Sequence, residues 1–204
     1  MAILKATTEG TAIQQYVKAT EQGELVTADI TRVWTAKGYG RQAMATAAVA
    51  AVVVRPSTTA IASLYNTSSN NFFIERAFAH ELVSAAVTTA NIWLCVHPKG
   101  TIVAAYANDI TARAATNGSD PQGDGYFDIE DTVVDSGWFP WSENYGYALT
   151  TATPSVVLMA NVNGRIVAPP TAGISISVVA SVNTATFTCG FHWFTVPQNE
   201  FYVA

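Results

Sequence analysis

The densest run of chemistry-bearing side chains is acidic. Asp120, Asp124, Gly125, Asp128 and Asp131 stand at positions 1, 5, 6, 9 and 12 of a calcium-loop pattern, with Tyr126 where a backbone carbonyl is used. Carboxylates at that spacing wrap a hard cation, and a glycine in the sixth place permits the sharp turn. Pro121, Gln122 at the third position and Asp131 in place of a bidentate Glu depart from the pattern, and the flanks read as loop and strand rather than helix. A solvated acidic turn is therefore the simpler expectation, with Asp120, Asp124, Asp128 and Asp131 kept as a candidate metal loop. No cofactor is expected.

Aromatic residues follow directly: Trp138, Phe139, Trp141, Tyr145 and Tyr147. Flat rings stack on sugars, and Asp135 and Glu143 would add acceptors for a glycan. The same ring types dominate protein–protein contacts. Packing under a loop or against another subunit is the commoner outcome.

Other chemistries lack parts. His80, His97 and His192, with Cys95 and Cys189, show none of the paired spacings of a zinc site. There is no G-x-S-x-G elbow, and GSDPQGDG lacks the lysine of a phosphate loop. Asp128, Glu130 and Asp131 offer paired carboxylates. So close together on one loop, they repel one another in solvent rather than flank a glycosidic bond. With no complete catalytic constellation, a non-enzymatic protein is expected. The two cysteines lie in apolar, strand-like runs and read as buried free thiols, with a disulfide between them left open.

The elements that would position these residues are strands. NFFIERAFAH (71–80) alternates with period two, NIWLCVH (91–97) is a continuous apolar run ending at Pro98, and ISISVVASV and TATFTCGFHWFTV alternate again. IASLYN (61–66) adds a further strand, and Val52 to Val54 is expected to be one closed by Pro56. SVVLMANV and RIVAPP flank Asn163-Gly164, a hairpin signal because both turn positions favour positive φ. Such spacing predicts an all-β fold, an antiparallel β-sandwich or barrel. The body is placed at 41–204, with one long acidic and aromatic loop over 108–150, long enough to be functional or ordered by a partner. Residues 1–40 are more polar and read as an N-terminal arm. Ile13, Tyr16 and Val17 are spaced for one short helix around 11–20. A surface segment and an arm ordered on a neighbouring subunit stay open as alternatives.

Composition bounds the partners. Of 204 residues, 50% are hydrophobic and only 12% charged, against about 25% in an ordinary domain. Ten Lys and Arg face fifteen acids, for a net charge of -5, which argues against nucleic-acid binding. Ala43 to Val54 is the most apolar run, far short of the roughly 20 residues a spanning helix needs. MAILKATTEG lacks the apolar core of a secretory signal, so a protein made without export and without a membrane is expected. A weakly charged surface suits a chain covered by neighbours, so a homo-oligomer is expected, a closed ring before an open polymer.

AVVVRPSTTAIASLYN, SSNNFFIERAFAHEL, NIWLCVHPKG and the closing TFTCGFHWFTVPQNE resemble jelly-roll-type structural proteins of tailed-phage virions, several of which are trimeric capsid decoration (cement) proteins. The resemblance covers roughly 40–110 and 155–204 and lies in strand rhythm and composition. It implies a jelly-roll-like β-sandwich, a trimer, the major capsid protein as partner and a place in the virion, assembled in the host cytoplasm. It carries over no catalytic residue. The alternative is a tail or head-fibre adhesin that holds host glycans through the 108–150 loop.

Overall fold

The computed structural model describes residues 5–7, 14–16, 29–58, 60–83, 89–100, 110–120, 125–129, 137–141 and 157–200. It divides into two units, Met1–Val33 and Trp34–Ala204. In the first, β1 (Lys5–Thr7) pairs antiparallel with β2 (Gln14–Tyr16). Strand β2 falls where the sequence led us to expect a helix. The helix, α1 (Ile30–Ala36), comes later. Asp29 caps its start, accepting from the Thr31 amide at 2.8 Å, and so satisfies an otherwise orphaned donor. Such a cap can start a helix even where Ile, Thr and Val lower the intrinsic propensity.

The second unit is a two-layer antiparallel sandwich. Its eight principal strands are β3 (Gly40–Met44), β5 (Ala62–Tyr65), β6 (Asn71–Val83), β7 (Ala90–His97), β10 (Trp138–Pro140), β11 (Val157–Ala168), β12 (Gly173–Ala180) and β13 (Thr186–Val196). The first of these pairs with the last, β5 with β12, β6 with β11, and β7 with β10. That is a long hairpin rolled over on itself, the connectivity of a jelly roll. Further pairing of β12 with β7 and of β13 with β6 closes each layer. Minor strands extend the edges. β8 (Arg113–Ala114) pairs with β3 and β9 (Tyr126–Ile129) with β5, while β4 (Val49–Ala50) pairs with β13.

Alternation places one set of side chains between the layers. Leu64, Phe72, Ile74, Ile92, Leu94, Leu158, Ile174, Phe187, Phe191 and Trp193 are all buried there. Phe127 of β9 meets Phe191 of β13 edge-on at 5.9 Å, a contact between the two sheets. Burying such rings contributes roughly 1.5–3 kcal/mol each. Cys95 and Cys189 are both buried, and no disulfide joins them. Cys189 lies in the main core and Cys95 in a separate cluster with Ala60 and Trp138.

Two local expectations change. Asn163-Gly164 does not close a hairpin, because β11 runs through it and both flanks pair with the same neighbour, β6. The dipeptide instead makes a bulge, with φ of 51° at Asn163 and 71° at Gly164. The register shifts there between Asn161 and Ile166. The left-handed backbone was legible; its use was not, since a bulge and a turn need the same φ. Nor do Val52 to Val54 form a strand: β4 lies earlier, Val52 makes only an isolated bridge to Val179, and Val53 and Val54 are exposed.

Candidate functional site

The two sheets treat their outer faces differently. On the five-stranded sheet β10-β7-β12-β5-β9, register aligns Trp138, Cys95, Ser175, Ser63 and Asp128 in one row. Its interior members are closed off, with Ser63 at 1%, Cys95 at 0% and Ser175 at 0% exposure. Here lies a polar chain that sequence inspection missed. Ser175 Oγ sits 2.7 Å from Ser63 Oγ and 2.7 Å from His97 Nε2. The strand residue opposite His97 is Gly173, which has no side chain to hold the imidazole away from Ser175. A serine hydroxyl against an imidazole is the geometry of an activated nucleophile. Both partners are sealed from solvent, however, so in this state the chain satisfies buried polar groups and locks three strands together.

On the six-stranded sheet, β11-β6-β13-β3-β8 with β4 beside β13, the outer face is open at its centre. One register row runs Met159, Phe78, Gly190, Met44. The next runs Asn161, Arg76, His192, Gln42, Arg113 across all five successive strands. Met44 is 48% exposed and Met159 36%, and Val157 and Leu82 stand exposed on the same face. Thus four of the seven exposed large hydrophobics among the described residues gather on this face. A groove of ≈ 470 Å³ follows Met44, Phe78, Arg113 and His192. Burial, and secondarily the charge of Arg76, lowers the His192 pKa from its ordinary value. The imidazole is then neutral at pH 7 and packs edge-on against Phe78 at 5.3 Å. The permanent charge of the row is left to Arg76 and Arg113.

One end of the same face is closed. Trp34 of α1 packs on Phe73 and Phe194 at 5.0 and 5.4 Å. Lys37 and Tyr39 then converge on Glu200 Oε1, at 2.6 and 2.9 Å. The Lys37 ammonium and the Tyr39 hydroxyl hydrogen-bond that carboxylate and hold its pKa below the usual range.

The residues singled out from the acidic run divide. Asp120 is exposed. Asp128 lies on β9, with its backbone paired to Ser63, and Asp124 and Asp131 lie outside the described residues, as do Tyr145 and Tyr147. Among the described residues no group of three or more His, Cys, Asp or Glu could hold a metal ion. Gly125 has a steric reason to be glycine: at φ 147° its missing Cβ would strike the Phe72 ring and the Tyr65 carbonyl, each at 2.8 Å. Trp138 is 3% exposed and donates from Nε1 to the Ser57 carbonyl at 3.0 Å. Phe139 and Trp141 are half-buried, tilted against each other at 5.5 Å, with the Arg165 guanidinium 5.2 Å from the Trp141 ring. Among the described residues no helix is long and apolar enough to cross a membrane.

No protein-family model matches the chain, and no curated protein or solved structure matches it either.

Proposed function

We propose that this chain is a non-enzymatic virion structural protein, a capsid decoration protein that stabilises a phage head by repeated contacts with itself and with the major capsid protein. One observation carries the reading: the open face of the six-stranded sheet, where Met44, Phe78 and Met159 form an apolar row beside Arg76 and Arg113. An uncovered apolar patch rimmed by polar residues marks a protein contact. A jelly roll whose chain is only 12% charged fits a particle surface built from neighbours. Each contact is modest, and a lattice multiplies it.

The direct experiment is gradient sedimentation of phage shells incubated with the purified protein. Saturable co-sedimentation at a fixed copy number per shell supports the proposal, and a protein that stays at the top of the gradient counts against it.

A second reading rests on Phe139 and Trp141, whose half-buried rings could seat a sugar in a host-binding adhesin. A glycan array discriminates. A specific signal lost in Trp141→Ala would favour the adhesin.

A further inference from the structure

Charge is segregated along this chain. Asp120 to Glu143 holds seven of the fifteen acids and no Lys, Arg or His, so the other eight acids face all ten cations. The described strands within that stretch, β9 and β10, are hydrogen-bonded into the five-stranded sheet. On the six-stranded sheet the open face carries Arg76 and Arg113 in one register row. Met44 and Met159 remain 48% and 36% exposed there, so the described residues leave the patch open.

We infer that the open face of the six-stranded sheet is the acceptor half of a contact between copies, and that its occupant is the acidic, aromatic stretch 120–143 of a second copy. The inference rests on the oligomeric part of the proposed function and names the surfaces that make it. Carboxylates of the incoming stretch would pair with Arg76 and Arg113, while its half-buried Phe139 and Trp141 cover Met44, Phe78 and Met159. Complementary charge steers such a contact and fixes its register. The face and the stretch that fits it are different surfaces, so the contact is heterologous and closes into a ring if the rotation permits.

Reversal and rescue test it on the full-length protein, by light scattering across a concentration series. Arg76→Glu with Arg113→Glu should weaken association at least about tenfold. So should Asp124→Lys with Asp131→Lys and Asp135→Lys. Mixing the two reversed proteins should restore association, because each then offers one half that fits the other. Met44→Glu with Met159→Glu gives a second, charge-independent disruption of the face, and thermal melts check that every variant stays folded. The inference is overturned if the arginine reversal leaves association unchanged, if mixing fails to rescue, or if the wild type is monomeric throughout. Shell co-sedimentation of the same variants separates the two claims. Should the arginine reversal abolish shell binding with association intact, the face serves the shell, and the decoration reading survives without this contact.

Discussion

The ring of Phe78 fills the space that a Cβ on Gly190 would need, on the open face where β6 and β13 run side by side. A Cβ at that position would also overlap the Ala43 carbonyl and come within 3.0 Å of Met44 Cα. The apolar row stays level because one of its four members has no side chain. Gly190→Ala should therefore cost about 1–3 kcal/mol, the range for over-packing a site that cannot relax. Backbone blocks relief on the β3 side, so urea melts should show a lower midpoint with an unchanged slope. A midpoint equal to wild type would mean that β3 yields freely.

Glu81 is a carboxylate with 0% exposure, and neither of its oxygens has a hydrogen-bond partner. Burial alone raises its pKa above the ordinary carboxylate value. A raised folded-state value makes its contribution whole below the unfolded pKa and lost as pH rises through the folded one. Glu81→Met should stabilise the protein by about 1–3 kcal/mol at neutral and alkaline pH. Paired melts should show that gain shrinking as pH falls towards 4. A gain independent of pH would mean that the carboxyl is ionised inside the core or never charged over this range.

Ser175 serves two partners, because Ser63 and His97 have it in common. Ser175→Ala should cost about 1–3 kcal/mol, since it strips a buried bond from both at once. Ser63→Ala should cost less, since Ser175 keeps His97. Equal losses for the two variants, measured by urea melts, would show that the chain does not act as a unit.

Arg165 braces the β11 bulge, donating from Nε to the Val162 carbonyl at 2.9 Å and from Nη2 to the Asn161 carbonyl at 2.5 Å. Lysine offers one point charge in place of a planar fork. Arg165→Lys should raise amide exchange across 161–166 while leaving β12 protected, as hydrogen-exchange mass spectrometry would show. An unchanged exchange pattern would assign the bulge to Asn163 and Gly164 alone.

The sequence by itself determined the layers. Period-two alternation in β6, β12 and β13 and the apolar run of β7 mark the strands, because a pleat sends successive side chains to opposite faces. It also supplied the special backbone at Asn163-Gly164, whose φ values depend on local sterics. Partner choice was another matter. Whether β11 turns back on itself or bulges against β6 depends on a strand far away in the chain. Ser175 and His97 are 78 residues apart, so nothing along the sequence announces their hydrogen bond. Met159 reads as an ordinary strand residue, and Met44 only as part of the apolar run 43–54, until register sets them in one row. Nothing local marks Glu81 as a buried acid, and only the bulges in β13 pairing and the covering sheet put it inside. Even the short helix escaped, because its Asp29 cap is a local device while the periodicity around residues 11–20 pointed elsewhere. Local chemistry fixes conformation residue by residue; which faces close and which stay open is settled by packing one sheet against the other.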